Sequence, residues 1–187
     1  MIVGLCGPAG CGKNSVAEIL RTKHGWIEFG FADPVYAAVA SILRVDVAWL
    51  RDRGNKEKPI DWLGKSPREL LQTLGTEWGR NTIRDDIWVQ IAMRQAQAAL
   101  KYLRGAGGVA ITDVRFANEA AAIHEAGGVI WRVSRRQSCL TDAAASHSSE
   151  AGIPADMIDD VLDNNGSLTA LRSTVDAALK RLRKNIM

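Results

Sequence analysis

The sequence of 187 residues lacks any apolar run approaching the roughly 18–20 residues needed to cross a bilayer, which excludes a membrane-spanning helix. Its first ten residues, MIVGLCGPAG, have no basic segment and turn glycine-rich early, so they do not read as a signal peptide. Cysteine is scarce: Cys6, Cys11 and Cys139 are an odd set with no CxxC spacing. That argues against a disulfide framework and a structural zinc site, and fits a reducing cytoplasm. Neither sign of charge dominates, since 24 Lys+Arg against 21 Asp+Glu leave a formal +3. A dedicated nucleic-acid binder shows a clustered basic face, so no direct nucleic-acid partner is expected. No internal repeat appears. What is present is a 47% hydrophobic chain, ordinary for a globular protein and too apolar for a disordered one. Its length suits one domain with small inserted lobes.

Short apolar runs alternate with longer helical patterns. Strands are expected at 2–6, 26–31, 108–113, 129–133 and 157–162. Asp33-Pro34 reads as an N-cap and N1 proline for a helix to about Leu43. The polar stretch 51–66 reads as a mobile surface segment. Ser66-Pro67-Arg68-Glu69 is a capping box opening a helix through Leu70, Leu71 and Leu74. Further helices are expected over 86–103, 118–126 and from Ser167 to about Arg183. Strands separated by helices imply an α/β fold, a parallel sheet with helices on both faces. Ligands of such sheets bind beyond the carboxyl ends of the strands. The polar clusters after Cys6, Asp113 and Val133 therefore converge on one edge.

Gly7-Pro8-Ala9-Gly10-Cys11-Gly12-Lys13 matches GxxxxGK between a strand and a helix. Glycines let successive backbone N–H groups curl around a phosphate, and the helix N-terminus adds the positive end of its dipole. Lys13 then reaches the β and γ oxygens. The usual hydroxyl residue after the lysine is replaced by Asn14, a poorer magnesium ligand, so the metal-facing hydroxyl is assigned to Ser15. Lysine, a non-hydroxyl residue, then serine looks like the adenylate-kinase variant of the loop, which points to small-molecule kinases and away from GTPase switches.

Val109-Ala110-Ile111-Thr112-Asp113 has the shape of a Walker B strand. Asp113 could hold magnesium through water, position an acceptor, or simply cap the following turn. Arg115, Asn118 and Glu119 follow at once. Arg68, Gln72 and Thr76 fall on one helical face, with Glu77 and Arg80 just beyond; a solvated face is the alternative. Arg132, Arg135 and Arg136 leave a strand where a phosphoryl-transfer enzyme keeps charge-stabilising arginines, although a solvated basic loop fits too. His147 and Glu150 suit a loop-ordering or substrate contact, or helix capping. His24 and His124 have no acid–base company nearby in sequence. Six of the aromatics are tryptophan; Trp49, Trp62, Trp78 and Trp88 share the middle segment, where one could stack on a base and core packing suits the rest.

The stretches GPAGCGKNS, FADP, SPRELLQTLGTEWGR, DDIWV, TDVRFANEA, AGGVIWRV and SHSSE, in that order, resemble the phage and bacterial deoxynucleoside monophosphate kinases. DVRFANEA and PRELLQTLGTEWGR make the resemblance specific; the phosphate loop alone marks only the P-loop superfamily. The resemblance implies a P-loop kinase fold, three-layer α/β/α around a central, mainly parallel five-stranded sheet. It implies one domain with a helical acceptor-binding insertion at about 34–104 and a lid-like segment at about 134–150. The implied activity is transfer of the ATP γ-phosphoryl group to a deoxynucleoside 5′-monophosphate with Mg²⁺. Gly10, Gly12, Lys13, Asn14 and Ser15 would hold ATP and magnesium. Asp33, Arg68, Arg80, Asp113, Arg115 and Glu119 would serve the monophosphate. Lys13, Arg132 and Arg136 would be catalytic, with Arg135 a further lid candidate. Asn14 departs from the aspartate that relatives often carry. A homodimer is compatible with the resemblance. The alternatives are a P-loop kinase for another phosphorylated acceptor such as dephospho-coenzyme A, and a non-catalytic ATP-binding regulator.

Overall fold

The computed structural model describes residues 1–102, 105, 107–136 and 153–186. The first apolar run forms β1 (Ile2–Cys6), buried at every position. A central parallel strand is covered on both faces, so both of its alternating sides must be apolar. α1 (Lys13–His24), β2 (Ile27–Phe29) and, later, β3 (Val109–Ile111), α7 (Ala117–Glu125), β4 (Val129–Ser134), β5 (Asp160–Asp163) and α8 (Leu168–Ile186) complete the sheet and its flanking helices. The order is β2-β3-β1-β4-β5 and every neighbouring pair is parallel.

On one face Val3, Leu5, Trp131, Val133 and Leu162 of the strands pack with Val16 and Leu20 of α1 and Leu171, Val175 and Leu179 of α8. On the other, Gly4 leaves room for α7: a Cβ there would lie 2.7 Å from the Cδ1 atoms of Ile123 and Ile130. Helices thus cover both faces, the three-layer α/β/α arrangement expected. The fifth strand starts at Asp160 because Ala155–Met157 closes a 3₁₀ turn first. No helix of the described residues is long and apolar enough to cross a membrane.

The chain divides into two compact units, Met1–Gly30 with Met93–Met187, and Phe31–Ala92. The second unit holds α2 (Asp33–Leu43), α3 (Val47–Arg51), α4 (Arg53–Lys56), α5 (Pro67–Gln72), a π-helical segment Thr73–Ile83 and the start of α6 (Ile87–Tyr102). Val39, Ala40 and Leu50 form its core, with Tyr36, Leu70, Leu71 and Leu74 packed against them.

Three expectations change here. Asp33 is the first residue of α2 and not its cap; Ala32 before it is already near-helical (φ −81, ψ −12), so no extended cap residue presents a side chain. The polar 51–66 stretch is locally built: the Asp52 carboxylate accepts the N–H groups of Gly54 and Asn55 at 2.8 and 3.3 Å to start α4, and Ile60 pairs with Lys65. Of the four mid-chain tryptophans only Trp88 is buried, while Trp49, Trp62 and Trp78 are exposed.

The capping box forms as expected. Ser66 Oγ accepts the Glu69 N–H at 3.3 Å, and Glu69 Oε2 accepts the Ser66 N–H at 2.8 Å. That backbone donor first, then Lys65, hold the Glu69 carboxyl down from 4.5 to about 2. A carboxyl depressed in the folded state stabilises fully above its unfolded value and loses that contribution as pH falls through the folded one. The melting-temperature difference between wild type and Glu69→Gln should therefore shrink as pH drops from about 5 to about 2. Calorimetry giving a pH-independent difference would refute the assignment.

Candidate functional site

The glycine loop begins where β1 ends, at the sheet edge that the carboxyl ends of β3 and β4 share. Gly7, Gly10 and Gly12 have φ of +130, +76 and +106, a region side chains avoid. Space enforces the same choice at two of them. A Cβ on Gly7 would meet the Val133 carbonyl oxygen at 2.5 Å, and one on Gly12 would meet Asn164 Nδ2 at 2.1 Å. Lys13 opens α1, whose N-terminus carries no side-chain cap. Its Nζ folds back over the loop, donating to the carbonyls of Gly7 at 2.7 Å and Pro8 at 3.0 Å. Pro8 to Gly10 are exposed, as is Asn14, and Ser15 is half-buried in the first turn of α1. Uncapped N–H groups, a helix dipole and an adjacent ammonium are the elements from which an anion site can be built.

Beyond β3 the chain is pinned to β1 by the Val114 N–H on the Leu5 carbonyl at 3.2 Å. Asp113, half-buried, lies on this segment beside exposed Arg115. Glu119 is 2% exposed and its Oε2 accepts the N–H groups of Arg115 at 2.7 Å and Phe116 at 3.1 Å. It grips the backbone of the loop that carries Arg115, a role its position in the DVRFANEA string did not reveal.

On β4, Arg132 stands in register beside Cys6 of β1 and donates to the Ile153 carbonyl at 3.1 Å. Burial pushes the Cys6 thiol up, against the opposing pull of Arg132, so it stays protonated. These described partners are both neutral, and they leave the guanidinium charge uncancelled. Arg135 and Arg136 are exposed, and the Arg136 N–H is held by Asn165 Oδ1 at 2.7 Å. The proposed lid at 134–150, with His147 and Glu150, and Cys139 lie largely or wholly outside the described residues.

The other candidates belong to the second unit. Asp33 pairs with Arg51, whose guanidinium carbon lies 4.8 Å from the centre of the Tyr36 ring. Arg68 is exposed on α5 and its Nε meets Glu57 Oε1 at 2.5 Å. Arg80 sits half-buried in the π-helical segment. That segment ends the α period at Gln72, so Thr76 does not continue the expected Arg68–Gln72 face. Trp88 packs closely against it: its Nε1 donates to the Gly75 carbonyl at 2.7 Å, and its ring leaves no room for a Cβ on Gly79. Such wide turns are uncommon and recur at functional sites.

Sequence reasoning missed Asn164, which lies between β5 and α8. Its Nδ2 donates to the Cys11 carbonyl at 2.8 Å, across 153 residues of chain. It also missed the partners of His24 and His124, which meet Asp176 at 2.9 Å and Asp159 at 2.8 Å.

A magnesium ion accompanying a nucleotide needs few protein ligands, because phosphates and water supply most of its octahedron. The donor set fits: the Ser15 hydroxyl and the Asp113 carboxylate are hard oxygens on the segments after β1 and β3. Among the described residues no cluster of three His, Cys, Asp or Glu side chains could hold a metal alone.

Known proteins share this fold and sequence. The chain superposes on a dephospho-CoA kinase from Campylobacter jejuni with a TM-score of 0.53, over 100% of this chain and 98% of that one, at 15% identity. Identity that low establishes the shared fold only. A protein of Escherichia phage T5 named deoxynucleoside-5′-monophosphate kinase is 27% identical, covering 88% of this chain and 89% of the relative. A protein of Acanthamoeba polyphaga mimivirus whose name includes deoxynucleotide monophosphate kinase is 30% identical over 94% of both chains. The family model described as deoxynucleotide monophosphate kinase matches residues 55–175, starting well after the phosphate loop. With the parallel sheet, the loop at its central strand and that match over most of the chain in agreement, this protein belongs to the deoxynucleotide monophosphate kinase family.

Proposed function

We propose that the protein transfers the γ-phosphoryl group of ATP to a deoxynucleoside 5′-monophosphate, giving the diphosphate by direct in-line transfer. The observation that carries this reading is the glycine loop and Lys13 at the carboxyl end of the central strand. It stands outside the stretch the family model matches and so supports the kinase assignment independently. Gly10, Gly12, Asn14 and Ser15 hold the donor phosphates, and Lys13 leaves the loop carbonyls to meet the β and γ oxygens. Magnesium held at Ser15 and Asp113 would add charge neutralisation to the triphosphate.

Two polyanions must approach each other, so fixed positive charge has to offset their repulsion. On the first unit Arg132 and Arg136 supply it, and Arg115 is a candidate for the acceptor phosphate. Asp113 would help to orient that acceptor, and Glu119 would act through the Arg115 loop it grips. On the second unit Asp33, Arg68 and Arg80 are the acceptor candidates. Ion pairing of Asp33 and Arg68 within their own unit means they would have to exchange partners to reach a ligand. No general base is required, because the attacking phosphate oxygen is already ionised at neutral pH. Excluding water would keep ATP from hydrolysing instead. Free thiols at Cys6 and Cys11 suit a reducing compartment such as the cytoplasm.

Measuring ATP consumption against a panel of deoxy- and ribonucleoside monophosphates, dephospho-coenzyme A and no acceptor tests the reading. Turnover with at least one deoxynucleoside monophosphate is expected. Turnover with dephospho-coenzyme A alone, or with nothing, would overturn it.

A further inference from the structure

The turn Asp163-Asn164-Asn165 touches two functional segments of the first unit at once. We propose that its two asparagines are positioning residues: Asn164 sets the aim of the phosphate loop, and Asn165 sets the start of the arginine segment after β4. This rests on the kinase reading above.

The geometry is closed at both ends. The Asn164 backbone N–H extends the pairing of β5 with β4 by one step, onto the Ser134 carbonyl at 2.8 Å. Anchored there, its side chain reaches the Cys11 carbonyl at 2.8 Å. In a trans peptide the carbonyl of Cys11 and the N–H of Gly12 point in opposite directions. Holding the carbonyl toward Asn164 therefore turns the Gly12 N–H to the opposite side of the loop, ready to serve a phosphate oxygen. Gly12 is the one residue whose missing Cβ admits the Asn164 amide this closely. The next residue acts in the other direction. Asn165 Oδ1 accepts the Arg136 N–H at 2.7 Å, and Asn165 is itself oriented by Asp163 Oδ1, which accepts its backbone N–H at 3.0 Å. Asp163 Oδ1 also accepts from the Asn165 side-chain amide, so the amide oxygen is left facing Arg136. A turn needing only to connect β5 to α8 requires neither amide in these directions; Ser167 already caps α8 through the Ala170 N–H at 3.2 Å.

Three variants test this, each read by equilibrium ATP binding, by steady-state kinetics with the deoxynucleoside monophosphate that wild type uses, and by melting temperature. Asn164→Ala removes the donor and should weaken ATP binding about 5- to 10-fold, the scale of one lost hydrogen bond. Asn164→Asp keeps the shape, opposes a carboxylate to the Cys11 carbonyl and adds negative charge near the triphosphate; about 30-fold or more is expected. The KM for the monophosphate should stay within about twofold, since these changes act through the donor loop alone. Asn165→Ala should leave ATP affinity unchanged and lower kcat about 3- to 10-fold, because only the Arg136 anchor is lost.

A purely structural turn would lower the melting temperature of all three variants and leave both ATP affinity and kcat of the folded fraction at wild-type values. That result overturns the proposal, as does ATP binding within twofold of wild type for both Asn164 variants. ATP binding is measured without any acceptor. A wild type that binds ATP tightly and phosphorylates no deoxynucleoside monophosphate would thus sink the functional reading alone, while the Asn164 comparison still stands.

Discussion

Replacing Lys13 with alanine should lower kcat about 10²–10³-fold, the loss that follows removal of one preorganised charge-stabilising donor and equal to about 2.7–4 kcal/mol of barrier. The fold should survive, because the ammonium rests on the carbonyls of Gly7 and Pro8 at a partly exposed loop, where water can replace it. Melting temperature should accordingly move little while turnover collapses. Lys13→Arg keeps the charge and loses the compact reach of an ammonium, so partial activity is expected. Steady-state rates at saturating ATP and monophosphate decide the matter. A Lys13→Ala enzyme within threefold of wild type would remove the lysine from the mechanism.

The second large effect concerns stability. Glu119→Ala strips the carboxylate partner from the N–H groups of Arg115 and Phe116 at a position that is almost fully buried. Hydrogen bonds to a charged acceptor are worth about 1.5–3 kcal/mol each, and partial access of water to the loop reduces the total to about 2–4 kcal/mol. For a domain of this size that corresponds to a fall of about 5–15 °C in melting temperature. Glu119→Gln retains the shape and one acceptor oxygen, so it should recover more than half of the loss. Kinetics separate this from direct substrate binding. If Glu119 touched the monophosphate, Glu119→Gln would raise the acceptor KM as strongly as alanine does despite its higher melting temperature. With Glu119 acting through the loop, acceptor affinity should instead follow stability across the two variants.

The glycine loop was legible because it is local. Gly7 to Lys13 is one short string whose glycines, lysine and following helix need only their neighbours to form the loop. The same holds for Ser66 to Glu69, where cap and counter-cap sit three residues apart and close on each other as read. Alternating strands and helices sufficed for a parallel sheet, since no short connection joins parallel strands.

Other features have no local signature. The segment after Gln72 reads as ordinary helix in the sequence, yet it is π-helical where Trp88, outside that segment, packs against Gly75 and Gly79. Asp33 looked like a cap by composition, yet the near-helical backbone of Ala32 made it the first helical residue and left it to Arg51. Trp49, Trp62 and Trp78 have the residue type of a core and lie exposed.

Among the described residues Lys13 meets carbonyls and Arg132 meets a carbonyl and a protonated thiol, so in a chain with almost balanced charge these two cations have neutral partners. By itself the sequence determined the phosphate loop, the capping box and the α/β class, all of which depend on contacts within a few residues. Only the tertiary structure decided that Asn164 donates to a loop carbonyl 153 residues away. That contact exists because sheet order brings the ends of β1, β4 and β5 to one edge, and strand order is a property of the whole fold.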